Sequence, residues 1–398
     1  MDSPIIGILG PVDIAGLRRY LPDSCFRADS PKGSGGTSVT QIAAELLRRG
    51  RRVVVFTLDG ITGDRTLEGD RLRIRIGPYT AHRGRAYFAR ERSYLMEAIR
   101  QERPDVLSAH WTYEFALAAI ASGVPHVVTA RDAPWTILRH NPIPYRLVRT
   151  AMAYHASRLT RRMVAVSPYI AHHLRRYGFH SRHIEVIPNG LPADPRRGGE
   201  RREADGVTRF ASIFSGGWDG FRNGPTLLRA FAIARRRVPD ARLVMIGEQC
   251  EPDGPADRWA SAHGLQTGIA FLGRRPHAEV MDILARQVDV LVHPSLEESF
   301  GMPLLEAAAV GVPAIAGRSS GAVPWVLEAG LRGVLVDVRS PDALAEAIVD
   351  LTIHADRRQA LAMNASTLVR DRFDLATVVD RYEAIFNELH STPPAGRA

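Results

Sequence analysis

Short runs of Val, Ile and Leu alternate with stretches of helical periodicity along almost all of this 398-residue chain, and that alternation restricts the fold more than any other feature. A continuous apolar run of four or five residues has no polar face to offer water, so it fits a strand covered on both sides. A helix between consecutive runs supplies the cover and returns the chain to start a parallel neighbour. The pattern predicts strands at 5–9, 53–57, 72–76, 106–109, 126–129, 163–166 and 184–187. After a gap, further strands are predicted at 210–214, 243–246, 269–272, 288–292, 314–316 and 333–336. Helices are predicted over 37–49, 90–103, 226–237, 278–286, 304–310 and 341–351, with a last amphipathic one over about 375–389. The gap, PADPRRGGERREADGVT from Pro192 to Thr208, is rich in Pro, Gly and charge and lacks apolar periodicity, as a domain boundary does. The expected architecture is α/β, with two doubly wound parallel-sheet (Rossmann-like) domains facing across a cleft. They span 1–191 and 209–374, joined by a linker over 192–208. A helix over 375–390 is expected to cross back to the first domain, followed by a frayed tail, 391–398.

Composition narrows the setting. Apolar residues make up 45% of the chain and charged residues 24%, which fits a globular chain and neither a disordered nor a collagenous one. Cys25 and Cys250 are the only cysteines and lie far apart. Neither a disulfide framework nor a cysteine zinc site is expected, and a reducing cytosol is. No signal-peptide pattern opens the sequence, and no apolar run reaches the roughly 18 residues needed to cross a bilayer. The formal charge of +9 is lopsided: residues 1–200 hold 30 basic and 18 acidic side chains, the remainder 22 and 25. Every basic residue except Lys32 is an arginine. Such a half suits nucleic acid or an anionic surface, but no helix-turn-helix, RRM or zinc pattern accompanies it, so no nucleic-acid partner is expected. Residues 145–162, YRLVRTAMAYHASRLTRR, set five arginines beside Leu147, Val148, Met152 and Leu159. That pattern suits either a core-packed helix with a solvated basic face or a helix lying on an anionic membrane.

Chemistry concentrates in HPSLEESFGMPLLE, His293 to Glu306. The segment follows a predicted strand and opens a helix near Pro303, where a missing N–H costs little because first-turn amides lack helical partners. Ser299-Phe300-Gly301 permits a tight turn, and amides at such a helix start bind phosphate through their N–H groups and the helix dipole. Glu298 in the loop and Glu306 inside the helix flank that anion site. A carboxylate accepts hydrogen bonds from paired sugar hydroxyls, so the set suits a sugar attached to a diphosphate. A helix entry in which Glu298 merely caps amides and Glu306 is solvated has the same spacing. In the first half, Gly33-Ser-Gly-Gly-Thr37 opens a helix, and His110-Trp111 and Arg131-Asp132 follow strands. Both pairs fall at strand carboxyl ends, where doubly wound sheets take their ligands.

Glu298-x7-Glu306, preceded by His293-Pro294-Ser295 and followed by Gly311-Val312-Pro313, resembles the E-x7-E signature of retaining family 4 (GT4-type) glycosyltransferases of GT-B fold. Pro188-Asn189-Gly190, Phe271-Leu272-Gly273 and Arg372-Phe373-Asp374 resemble further segments of that family. The resemblance implies that Glu306 binds the nucleotide ribose and Glu298 the donor sugar. Ser299, Phe300, Gly301, Met302 and Leu304 would then hold sugar and phosphate, while Arg274 lines the base. It further implies that Gly35 and Gly36 face the donor phosphate. Asp132 is a candidate for an acceptor hydroxyl, and His110, at its strand end, is either an acceptor contact or a packed histidine. The resemblance also implies no bound metal or cofactor, so fixed cations such as Arg222 would stabilise the leaving phosphate. The implied donor is a UDP-, GDP- or ADP-sugar, and the acceptor a saccharide, lipid-linked or small-molecule hydroxyl. Cysteine usage and the basic stretch 145–162, apart from the resemblance, set the expected location as cytoplasmic or peripheral at the inner face of a membrane. Arg222 stands where the family has Lys, Gly217 where it has Arg, and Arg131 where it often has His. A nucleotide-sugar epimerase on the same fold and a non-catalytic sugar-binding scaffold therefore remain open alternatives.

Overall fold

A computed structural model of the chain describes residues 4–26, 31–33, 35–180, 182–192 and 205–391. Residues 193–204 of the expected linker and 392–398 of the expected tail lie outside the described residues. Two compact units result: Met1–Gly190 with Leu375–Ala398, and Leu191–Asp374.

The first unit holds one sheet of eight strands: β1 (Ile5–Leu9), β2 (Arg52–Asp59), β3 (Arg65–Glu68), β4 (Leu72–Pro78), β5 (Val106–His110), β6 (His126–Ala130), β7 (Met163–Ala165) and β8 (Ile184–Val186). They lie in the order β3-β4-β2-β1-β5-β6-β7-β8. The second unit holds β9 (Arg209–Phe214), β10 (Arg242–Gly247), β11 (Ile269–Gly273), β12 (Val290–His293), β13 (Ala314–Gly317) and β14 (Gly333–Val336), in the order β11-β10-β9-β12-β13-β14. The wholly parallel arrangement expected from sequence needs one correction. β3 was not predicted, and it pairs antiparallel to β4. Its RTLE sequence buries only Leu67, so it needs no cover and sits at the edge, where a short charged strand also blocks further pairing. β12 starts later than predicted because Val288 ends the helix His277–Gln287.

In each sheet the chain winds outward from a central strand and then resumes on its other side, between β1 and β5 and between β9 and β12. The two switch points place the loops that follow those strands side by side. The helix Thr37–Arg48 covers the first sheet with Val39, Ile42, Ala43, Leu46 and Leu47, all buried.

The helix Leu375–Ser391 packs on the same core through Val378, Val379, Tyr382, Ile385 and Phe386. Arg49 secures it by donating to the Ala376 carbonyl at 2.8 Å and to the carboxylates of Asp380 at 2.6 Å and Glu383 at 2.5 Å. The Tyr382 ring, 1% exposed, meets the His110 ring edge-on at 6.2 Å, and its hydroxyl shares a 3.0 Å hydrogen bond with Thr129. Tyr382→Ala should destabilise the first unit by about 3–5 kcal/mol, as removal of a buried aromatic ring does. Tyr382→Phe should cost only about 1 kcal/mol, the net value of one hydrogen bond. Urea denaturation of the two variants checks both values.

Candidate active site

The second unit gathers the E-x7-E residues at the β9/β12 switch. Beyond Ala211 and Leu291 the two strands no longer pair, so their carboxyl ends part and the loops after them meet. Leu296 N–H donates to the Phe221 carbonyl at 2.7 Å, and the Asn223 side-chain amide donates to the carbonyls of Pro294 at 3.0 Å and Val338 at 2.7 Å. From below, Ser320 Oγ donates to the Ser295 carbonyl at 2.6 Å and Ala322 N–H to the Glu298 carbonyl at 2.8 Å. Gly321 lies so close that a Cβ there would fall 2.2 Å from the Glu298 carbonyl oxygen. The loop is fixed from both sides before any ligand arrives.

Within this frame Arg222 forms an ion pair with Glu298, and its Nε donates to the Ser215 carbonyl at 3.1 Å. His293, buried, bonds the same Glu298 oxygen through Nε2 at 3.0 Å. Burial alone would raise the Glu298 carboxyl, but the Arg222 charge and hydrogen bonds from His293 and Ser295 outweigh it and hold it at about 2. An ionised Glu298 only accepts, so His293 donates through Nε2.

Gly301, at φ 93°, precedes the helix Met302–Ala309 with no side-chain cap. Pro303 has no N–H and Leu304 N–H donates to the Gly301 carbonyl at 3.0 Å, which leaves the Met302 amide of the first turn for an anion. Phe300 does not line this site: it is 3% exposed and packs edge-on against Trp325 and Phe373. Glu306 is 6% exposed, and one of its oxygens bonds His277 Nε2 at 2.9 Å. Arg274 projects into solvent near Glu248, 3.9 Å away. Gly217 takes φ 103°, a conformation in which an arginine would be strained; the missing arginine is thus built into the backbone.

The first unit brings a second group to the ends of β1, β5, β6 and β8. Gly36, at φ 82°, starts the helix Thr37–Arg48 without a side-chain cap. A Cβ on it would fall 2.0 Å from the Pro11 carbonyl, whereas Gly35 borders open space. Arg131, 7% exposed, donates to Ser38 Oγ at 2.7 Å, Asn189 Oδ1 at 2.6 Å and His110 Nδ1 at 3.1 Å. His110, expected beside the substrate, is fully buried instead, with Nε2 3.3 Å from Ser108 Oγ. Burial and the Arg131 charge push its pKa well below the usual histidine value, so it is neutral and serves to hold Arg131. The Arg131 guanidinium therefore sits among neutral partners. Asp132 accepts a 2.7 Å hydrogen bond from the Tyr113 hydroxyl through Oδ2, while buried Oδ1 has no partner among the described residues. Burial raises the Asp132 carboxyl, with the Tyr113 hydrogen bond opposing.

Sequence reasoning singled out Glu298, Glu306 and Arg222; the structure pairs Arg222 with Glu298 and sets Glu306 against His277. It missed Asn223, His277 and the hold of His293 on Glu298. His293 stood at a strand end in the quoted motif; His277 carries no sequence signal. Among the described residues no cluster of three or more His, Cys, Asp or Glu is placed to hold a metal ion.

Comparison with known proteins agrees with the fold. The family described as Glycosyl transferases group 1 matches residues 213–367, and Glycosyltransferase Family 4 matches residues 35–195. The chain is similar to D-inositol 3-phosphate glycosyltransferase of Corynebacterium glutamicum, 29% identical over 50% of this chain and 48% of that protein. It is also similar to N-acetyl-alpha-D-glucosaminyl L-malate synthase of Bacillus anthracis, 22% identical over 90% and 94%. The chain spans about half the length of the inositol-phosphate relative it matches. Among solved structures, sucrose-phosphate synthase from Thermosynechococcus elongatus superposes with TM-score 0.77 at 16% identity over 97% of this chain and 99% of that one. Anabaena Alr3699/HepE in complex with UDP-glucose does so with TM-score 0.68 at 17% identity over 97% and 100%.

A carboxyl held low in the folded state favours folding wherever the unfolded chain binds more protons. The Glu298 contribution should be complete above its ordinary value of 4.5 and vanish as pH falls from there to about 2. The stability difference between the parent protein and Glu298→Gln, from denaturation at stepped pH, should shrink over that window; a constant difference would contradict the ion pair.

Proposed function

The chain belongs to the GT4-type glycosyltransferases of GT-B fold, and from that premise we propose that it is a retaining enzyme. On this reading it moves a sugar from a nucleotide-diphosphate donor to an acceptor hydroxyl. One observation carries the reading: an uncapped helix start with the Arg222–Glu298 pair before it and buried Glu306 one turn inside. The Met302 amide and the helix dipole receive the diphosphate. Arg222, fixed by Glu298 and the Ser215 carbonyl, stabilises the charge that grows on the leaving phosphate. Because position 217 is a glycine, this one guanidinium carries the role that the family divides between two cations. Glu306 keeps one oxygen on His277 and offers the other to the ribose hydroxyls.

Retention follows from attack on the face the nucleotide leaves. The acceptor oxygen bonds to the anomeric carbon as the bond to phosphate breaks, and the hydroxyl proton passes to the departing phosphate oxygen. No protein nucleophile is required; the chain supplies orientation and electrostatics. On the acceptor side, Asp132 Oδ1 is an acceptor without a partner and Arg131 a cation without a carboxylate. They suit an acceptor bearing both a hydroxyl and a negative charge. D-inositol 3-phosphate and L-malate, named for the two relatives, are such molecules.

Glu306→Ala should weaken binding of the preferred nucleotide among UDP, GDP and ADP by about 10- to 100-fold, the value of a hydrogen bond to a charged group. Titration calorimetry measures it. Arg222→Ala should lower turnover by about 10²–10³, read as nucleotide release with acceptor present. Two variants indistinguishable from the parent protein would sink the assignment. An epimer formed from donor alone, detected by NMR, would favour the epimerase alternative instead.

A further inference from the structure

Two helices of the first unit, Pro134–His140 and Pro144–Leu159, and the residues that follow the helix Pro168–Arg176 enclose a feature that shares no lining residue with the site described above. It is an apolar hollow of about 380 Å³ lined by Trp135, Leu147, Ala151, Tyr154, Tyr177 and Phe179. Nine large apolar side chains stand exposed among the described residues, and three of them line the hollow: Trp135 at 40%, Leu147 at 60% and Tyr154 at 47%. Scattered single exposures need no explanation, but a gathered set marks a contact surface.

Charge identifies the occupant. Residues 133–184 contain nine arginines and no Asp or Glu, so this segment alone carries a charge equal to the +9 of the whole chain. Arg149 is consumed internally by Glu114, and Arg162 by Glu185 and Glu388. Arg139, Arg158, Arg161, Arg175 and Arg176 are exposed, and none has a carboxylate partner among the described residues. Three of them border the hollow. Arg139 and Arg158 stand one turn beyond Trp135 and Tyr154, hence on the same helix faces. The Arg176 guanidinium lies 5.9 Å from the Tyr177 ring. Aromatic and aliphatic side chains ringed by arginines match a bilayer boundary, where apolar groups enter the acyl region and cations meet lipid phosphates. A merely solvated basic face has no reason to expose Leu147 and Tyr154 at its centre. A nucleic-acid site would use the aromatic rings for stacking but has no use for an exposed Leu147 among them.

We propose that this face docks on the surface of an anionic phospholipid bilayer, with the hollow and its aromatic rim entering the interface and the arginines pairing with headgroups. The surface belongs to the first unit alone, so the proposal does not rest on the transferase reading, and its failure leaves nucleotide binding at Glu306 untouched.

The test is sedimentation of the full-length protein with phosphatidylcholine vesicles, with and without phosphatidylglycerol. Binding should require phosphatidylglycerol and weaken at high salt. Replacing Arg139, Arg158 and Arg176 together by Gln should lower partitioning roughly a hundredfold, about fivefold for each arginine. Leu147→Glu with Tyr154→Glu should abolish it. These positions are exposed, so the thermal midpoint and nucleotide affinity should stay unchanged, which separates lost docking from lost folding. Absence of binding to phosphatidylglycerol vesicles at low salt overturns the proposal. So does binding that neither set of substitutions affects. If the substitutions instead abolish binding to a single-stranded oligonucleotide or self-association, without vesicle binding by the parent protein, the proposal is equally wrong.

Discussion

Everything at the candidate site depends on a reversal of winding between β9 and β12. Parallel strands joined by right-handed crossovers must be covered on both faces, and the chain can leave a gap only where successive helices pass to opposite sides of the sheet. Here pairing stops after Ala211 and Leu291, so the last residues of both strands lose their mutual neighbour and the following loops fill the space. The Arg222 loop comes from one side of the gap and the Glu298 loop from the other. Residues 76 positions apart in the chain thereby share an ion pair. The same reversal at β1 and β5 brings the Gly36 turn, Arg131 and His110 together in the first unit. One topological rule thus supplies both constellations, and the side chains decide what each can hold.

The two constellations solve the problem of a shielded cation differently. Arg222 is matched by Glu298, so under the proposed reading an arriving anion would meet a pair whose geometry is already set. Arg131 has only Ser38, Asn189 and His110 around it, and His110 is kept neutral by burial and by Arg131 itself. A shielded guanidinium with neutral partners pays part of its desolvation through hydrogen bonds and leaves the remainder open to an arriving anion. That asymmetry is why the acceptor reading leans toward negatively charged molecules.

Fold and site were legible in the sequence to different depths. Strands buried on both faces announce themselves as continuous apolar runs, and the E-x7-E segment is local, so its helix start and both carboxylates could be placed. β3 was invisible because an edge strand with one buried residue has neither signature. The contact between His277 and Glu306, 29 residues apart, depends on how two helices after different strands approach one another, and no spacing encodes that. His110 shows the opposite error. The strand was predicted to stop at Ala109, which suggested a ligand contact, but β5 runs on through His110, and all five of its residues are buried. Arg131 looked like a lost histidine; in three dimensions it is the hub of the local hydrogen bonds.

Net charge, finally, separates into parts with different physical roles. Arginines at the site and in the core are answered locally: Arg222 by Glu298, Arg149 by Glu114, Arg49 by Asp380 and Glu383. Those pairs fix geometry and add nothing to the field at a distance. Among the unanswered ones, Arg139, Arg158 and Arg176 lie in residues 133–184, where acids are absent, close to the exposed Trp135 and Tyr154 rings and to the Tyr177 ring. An arginine-rich coding bias would scatter arginines without removing acids from one stretch, and it would not place apolar side chains among them. Part of the basicity of the first half thus falls beside the apolar hollow, and that coincidence is what the docking proposal rests on.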